Sequence, residues 1–325
     1  MSAELRARSM ATTASESQQS ETAPLLDNKT PKRKLYRISE IPEWQHDNAY
    51  ILTHYIGETR SFRECFGSLA YLHNEIVNIY THLVPGIVMP IVALLAGLFI
   101  PISTEKQLFP VIPVDIPVYS TTGYADYFFF LLFFAGVCTC LSLSATYHSV
   151  KCHSLGVAVF ANQLDYLGIV ILIVTSIVGI LFYAFIDHPT SRAVFTSITL
   201  VQGVLCGVVS MKRQFRHHSW RPFRAAMFIV FGLSSVLPLG YSVVRYGFDQ
   251  TRRRAGLSWA ITEGAMYIGG AIIYALRIPE RFAPGKFDVF GHSHQIFHVL
   301  VVGAASCHLM ALATAYRYAH EVNWE

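Results

Sequence analysis

"VAVFANQLDYLGIVILIVTSIVGILF", residues 157–182, carries a single charged side chain, Asp165. The run exceeds the roughly 20 residues that a helix needs to cross the hydrocarbon core of a bilayer. A carboxylate inside such a run costs about 3 kcal/mol unless it is paired, so it is read first as a functional group. Six further apolar segments, 79–101, 124–148, 193–211, 225–245, 257–276 and 295–316, have comparable length. Several contain Gly or Pro, which spanning helices tolerate. The pattern predicts an all-α fold, a seven-transmembrane helix bundle over residues 79–318.

Composition points the same way. Hydrophobic residues make up 53% of the 325 and charged residues only 14%, against about 25% charged in an ordinary soluble domain. The deficit excludes a soluble core of this size and implies a lipid-facing surface. The net charge of +4 comes largely from short basic clusters. Those fit loops beside anionic lipid; a nucleic-acid partner is not expected, because it needs a continuous basic face.

Residues 1–40 are rich in Ser, Thr, Ala and charge and read as a disordered cytosolic tail. They hold no apolar core, so no secretory signal peptide is expected and the first span serves as its own insertion signal. Residues 41–78 form a juxtamembrane segment. Within it Phe62, Phe66, Leu69, Leu72 and Ile76 recur at helical spacing, predicting a short amphipathic helix at the membrane surface before the first span. Residues 319–325 are a short outer tail. With the N-terminus in the cytosol, the inner side holds Arg60, Arg63, Lys151, Lys212, Arg213, Arg216, Arg221, Arg224, Arg277, Arg281 and Lys286. The outer side holds Lys106, Arg192, Arg245, Arg252, Arg253, Arg254 and Arg317. The excess of inner charge favours a cytosolic N-terminus, although Arg252, Arg253 and Arg254 weigh against it.

In this topology polar groups gather at one end of the bundle. His148 closes the second span, and His294 and His298, at i and i+4 on one helical face, open the seventh. Asp165 lies a turn or two into the third span from that same cytosolic end, and Ser144 sits one turn before His148. Three imidazoles from two helices match the ligand set of a catalytic zinc site with its fourth position left for water; copper, nickel and iron also suit imidazole. Asp165 would accept a hydrogen bond from that water and could act as a general base. An HxxxH pair alone is weak evidence, so interfacial hydrogen bonding and a metal site stand as alternatives on the residues alone.

A second polar stripe, His73, Glu75, Asn78 and His82, places its last three members on one face. It reads as a buried hydrogen-bonded lock between the surface helix and the first span, or as an extension of the metal site. His153, His217, His218 and His292 fall in loops, where contact with solvent or headgroups is expected. The six cysteines follow no zinc-finger or secreted-disulfide spacing and read as free thiols.

The blocks "SLAYLHNEIVNIYTHL", "SATYHSVKCHS", "LDYLGI" and "PERFAPGKFDVFGHSHQIFH" resemble, in order, the signature blocks of the progestin and adipoQ receptor family, which includes the adiponectin receptors and the haemolysin III-related proteins. The likeness covers about residues 41–320, and the wording is most similar to fungal members. It implies a seven-helix bundle with a cytosolic amino end and a zinc ion near the inner leaflet. The three zinc ligands then fall on His148, His294 and His298, the water-holding aspartate on Asp165, and the serine of the wider hydrolase superfamily on Ser144. One departure is the stretch "YIGETRSF", where the family often has a Gly-Tyr-Arg-like turn.

The resemblance implies a receptor-type protein of lipid and sphingolipid metabolism and signalling, with ceramidase-like intramembrane amide hydrolysis as its enzymatic form. The alternative is a signalling receptor with a structural zinc and no turnover. Expected partners are a membrane lipid or ceramide-like substrate inside the bundle and an extracellular protein or steroid ligand; the expected location is the plasma membrane or an endomembrane. A channel is poorly supported, because the spans hold few charges besides Glu75, Asp126, Asp165 and Glu263.

Overall fold

Apolar runs of this length can satisfy their backbone in lipid only by coiling, since each helix closes its own hydrogen bonds. The structure, a computed structural model, describes residues 34–99, 114, 116–212 and 218–322. Of the expected tail over 1–40, residues 1–33 lie outside the described residues, as do 102–113 and 115 of the Pro-rich connection near 102–123. Ten α-helices occur among them: α1 (Phe62–Gly67), α2 (Ile76–Phe99), α3 (Tyr124–Val150), α4 (Leu155–Ala184), α5 (Pro189–Ser210), α6 (Arg221–Leu233), α7 (Val236–Tyr246), α8 (Phe248–Arg254), α9 (Leu257–Leu276) and α10 (Ser293–Glu321). The described residues contain no strand, only isolated bridge residues: Tyr36 paired with Tyr55, and Pro117. Among the described residues six helical stretches are long and apolar enough to cross a membrane: α3, α4, α5, α6 with α7, α9 and α10; the apolar helix Ile76–Met89 within α2 is shorter.

Two expectations are corrected. The amphipathic surface helix does not run to Ile76: α1 ends at Gly67, a 3-10 turn continues to Ala70, and the chain breaks before α2. The break is fixed where the Asn74 amide donates to the His54 carbonyl instead of to a preceding turn. The span over 225–245 is two helices, interrupted at Ser234 and Ser235. Pro238 explains the interruption, because it has no N–H to bond the carbonyl four residues earlier, that of Ser234.

Neighbours in sequence pack as neighbours in space, with α2 on α3, α3 on α4, α4 on α5 and α9 on α10. The central core joins α3, α4 and α10 through Phe130, Phe133, Leu141, Leu172, Leu312 and Tyr316. Gly168 allows α4 to reach α3: a Cβ there would stand 3.0 Å from the Cys140 Cα. Small residues at such crossings are how helices gain close contact without a hydrophobic drive between them. The outward faces of α5 and α7 are apolar, with Val204 and Val244 66% and 88% exposed, a surface suited to lipid.

At the end of the bundle away from the histidines, Asp126 of α3 accepts from Tyr183 of α4 and lies 3.0 Å from His320 Nε2 of α10. Arg254, one of the arginines weighing against a cytosolic N-terminus, is buried and held by both oxygens of Asp187 at 2.7 and 2.9 Å.

Candidate metal centre

The site begins with how α10 is started. Gly291 adopts φ +82°, a turn that a side chain would strain. Glu280, fully buried, then accepts from the Ser293 amide at 2.8 Å and from the Ser293 hydroxyl, while Asn48 donates to it at 3.0 Å. This carboxylate satisfies an amide of the first helical turn and complements the positive end of the helix. His294 and His298 are thereby fixed in the first two turns of α10, and His148 comes from the last turn of α3.

The three imidazoles converge. One ring nitrogen from each of His148, His294 and His298 lies within 4.8 Å of the others. The ring centroids are 4.8, 5.0 and 4.7 Å apart, and the planes are steeply inclined to one another. His148 and His298 are buried, His294 partly so. This group can hold a metal ion.

Hydrogen bonds decide which nitrogens are free to do so. His298 Nδ1 lies 3.0 Å from the Asn78 carbonyl; a carbonyl only accepts, so Nδ1 carries the proton and Nε2 keeps its lone pair. His148 Nδ1 lies 2.7 Å from Glu75 Oε2. Asn78 donates to the same oxygen at 2.6 Å, and Lys151 donates to Oε1 at 2.7 Å. Burial works to raise the Glu75 carboxyl, but Lys151 and then His148 beside it hold it well below the usual carboxylate range. Glu75 is therefore an acceptor, His148 Nδ1 the donor, and His148 Nε2 is left buried without a hydrogen-bond partner. A carboxylate or carbonyl fixing the far nitrogen of an imidazole is how metal-bound histidines are usually oriented. The donor set thus fits a cation such as zinc.

Of the two expectations for the stripe, a lock between the surface helix and the first span or an extension toward the histidines, the bonds of Glu75 and Asn78 run to the histidines and not to α1. Glu75 and Asn78 orient His148 and His298 while tying α2 to α3 and α10. His82 stacks on His298 with centroids 3.7 Å apart and planes 4° from parallel. His292 lies in the loop just before α10 as expected, but it is buried instead of meeting solvent or headgroups: its Nε2 donates to the Asn74 carbonyl at 3.3 Å. His153 lies partly buried against the Phe62 ring, at 4.2 Å between centroids. All six cysteines are free.

Beside the histidines opens a cavity of about 1220 Å³, whose walls include His82, Ser144, Asp165, Lys151, His294 and His298. Asp165 and Ser144 are both buried and lie on the same cavity wall. Residues 43–47 close over this end of the cavity, where Arg277 donates to the Asp47 carbonyl at 3.0 Å. Arg224, expected in a loop, belongs to α6; it is buried on the cavity wall, 5.3 Å from the Tyr166 ring centre. Its place inside the bundle was hidden in the sequence by its position in a run of loop arginines.

A helical bundle with a buried histidine triad beside a large apolar cavity defines an integral, multi-pass membrane protein with a candidate metal centre. Comparison with known proteins names its kind. The haemolysin-III related family model matches residues 70–309. The chain is 45% identical to the ADIPOR-like receptor IZH2 of Saccharomyces cerevisiae over 288 residues, covering 89% of this chain and 86% of the relative. It is 36% identical to the adiponectin receptor protein of Drosophila melanogaster, covering 88% of this chain and 60% of that longer protein. It is 33% identical to the heptahelical transmembrane protein 3 of Arabidopsis thaliana, covering 85% and 86%. The chain belongs to the haemolysin III-related family that includes these adiponectin receptor-like proteins.

Proposed function

We propose that this protein is a zinc-binding, seven-transmembrane, receptor-type member of the adiponectin receptor family. In this reading it hydrolyses a lipid amide of the ceramide class within the membrane, with its N-terminus in the cytosol. The observation that carries the reading is the partnerless His148 Nε2 within the histidine triad, beside the pair Asp165 and Ser144 on the wall of a lipid-sized cavity. The first of the seven spans would be α2, added to the six longer ones; its 24 residues rise about 36 Å, enough for the hydrocarbon core.

His148, His294 and His298 would hold the zinc, which when bound supplies a Lewis acid able to polarise an amide carbonyl. The chain's own residues do the rest. The apolar cavity wall takes the hydrocarbon chains and keeps bulk water out. Asp165 receives the proton of the attacking water and passes it to the leaving nitrogen, so that fatty acid and sphingoid base depart. Ser144, on the same wall, would donate its single hydroxyl proton to the oxygen on which charge develops. Ceramide turnover by the purified protein, lost on chelation and in Asp165→Ala, is the test. Zinc-loaded protein that turns over no lipid amide overturns the hydrolase reading.

One observation favours a second reading, a signalling receptor whose zinc is structural. The centre and its hydrogen bonds tie α2, α3 and α10 into one unit, through Glu75, Lys151 and the stacked His82. A steroid or an extracellular protein would then be the ligand. His148→Ala would lower thermal stability while Asp165→Ala left stability and signalling nearly intact.

A further inference from the structure

Halfway along α10, a second polar group faces the same cavity and takes no part in the histidine centre. His308 lies ten residues beyond His298, about 15 Å farther along the helix at 1.5 Å per residue. Its Nδ1 is 2.9 Å from Glu263 Oε2 of α9. Tyr267 stands one turn after Glu263 on the same face of α9, and all three side chains line the cavity wall. Gly303 of α10 lets the two helices close here, since a Cβ on it would meet the Met266 sulfur at 3.3 Å. The His308 ring is held on its other side by Phe133, at 4.8 Å between centroids.

Two polar atoms of this group are buried with no hydrogen-bond partner, His308 Nε2 and the Tyr267 hydroxyl. A buried polar atom left without a partner is costly, and ionisable side chains at this depth in a bundle mark binding or transfer sites. With Nδ1 donating to Glu263, a neutral His308 presents Nε2 as an acceptor, whereas Tyr267 can donate. On a hydrocarbon chain, a hydroxyl can donate to the first and accept from the second through a single oxygen. A ligand carbonyl would serve Tyr267 alone.

We infer that His308, Glu263 and Tyr267 form a second polar subsite of the cavity. It reads a hydroxyl placed partway along the hydrocarbon body of a lipid whose head lies at the histidine centre. The inference rests on the reading that the cavity holds a lipid, and it names the kind of lipid selected.

The test uses stearic acid and a series of hydroxystearic acids with the hydroxyl walked along the chain, competing for the zinc-loaded, full-length protein against a fluorescent fatty acid. Mid-chain hydroxyls are expected to bind about fivefold to tenfold tighter than stearic acid, the gain of one or two net hydrogen bonds. A hydroxyl next to the carboxylate is expected to bring no gain. Two variants keep the result specific: Tyr267→Phe removes only the hydroxyl, and His308→Asn keeps a donor for Glu263 while removing Nε2. Within each variant the ratio of hydroxystearic to stearic affinity is expected to fall toward unity. A ratio that either variant leaves unchanged, or no preference at any position while stearic acid binds, overturns the subsite and spares the lipid reading of the cavity. Failure of stearic acid and all its hydroxy derivatives to bind overturns both.

Discussion

Replacing Glu75 by Gln changes one oxygen to an amide nitrogen and almost nothing else in shape. In the native protein one oxygen of Glu75 accepts from His148 Nδ1 and from Asn78, and the other accepts from Lys151. A glutamine retains a single acceptor, so either His148 or the Lys151 ammonium must face an NH2 group. Loss of the partner that orients a metal-binding imidazole costs about 10–100-fold in metal affinity, which is about 1.4–2.8 kcal/mol. Stability falls as well, because stripping one partner from a buried ion pair costs about 3–5 kcal/mol, whereas removing both is close to neutral. The side chains of Glu75 and Lys151 are 14% and 16% exposed, so the lower part of that range applies. Zinc titration against a chromophoric chelator, with thermal melting in parallel, separates the two effects. Glu75→Gln is expected to lose both affinity and stability, and Glu75→Gln with Lys151→Met to recover stability and, with the amide oxygen free to face His148, part of the affinity. Native zinc affinity in Glu75→Gln would refute the assignment of Glu75 as the group that orients His148.

Three more outcomes are expected. Cys152 donates to Cys65 with the sulfurs 3.4 Å apart, a bond that brings the Cys65 thiol down to about 7 and raises that of Cys152; mild oxidation with diamide should link the two, seen by peptide mapping, and no cross-link would contradict the pairing. His73 is buried and accepts from the Glu75 amide, and burial pushes its pKa down to about 4. The native state then binds fewer protons than the unfolded chain between about pH 6.5 and 4. Stability is present above that window and falls as the pH drops through it. His73→Asn should flatten the melting temperature across the window, and an undiminished slope would count against it. Gly256 has φ +56°, and a Cβ there would stand 2.5 Å from the Cα and carbonyl oxygen of Ala311, so Gly256→Ala should force α9 away from α10. The expected cost is more than the ~1 kcal/mol of an ordinary glycine replacement, and an unchanged melting temperature would contradict the close crossing.

The spans were legible because their signal is local: an apolar run of twenty or more residues has few alternatives, and the observed helices lie within a few residues of those expected. The histidine triad was legible for the same reason. His294 and His298 share a face by spacing alone, and the expected alternation of crossings puts the end of the run carrying His148 at the same end of the bundle as the start of theirs. What stayed hidden depends on register between distant segments. Nothing local states that Glu75 meets His148, 73 residues away, rather than only locking its own helix. The burial of His292 follows from its contact with Asn74, 218 residues away. The break between α6 and α7 was written in Pro238, but the continuous apolar run around it outweighed one residue. The surface helix failed because the periodicity of Leu72 and Ile76 continued past the point where His54 captures the Asn74 amide.

Metal content bears most directly on the histidine centre. Purified full-length protein, freed of adventitious metal by dialysis and measured by mass spectrometry, is expected to carry one zinc per chain. His148→Ala, His294→Ala and His298→Ala are each expected to lose it while the chain still inserts in membranes. A native protein without bound transition metal, or zinc retained in full by His148→Ala, would contradict the shared three-histidine centre.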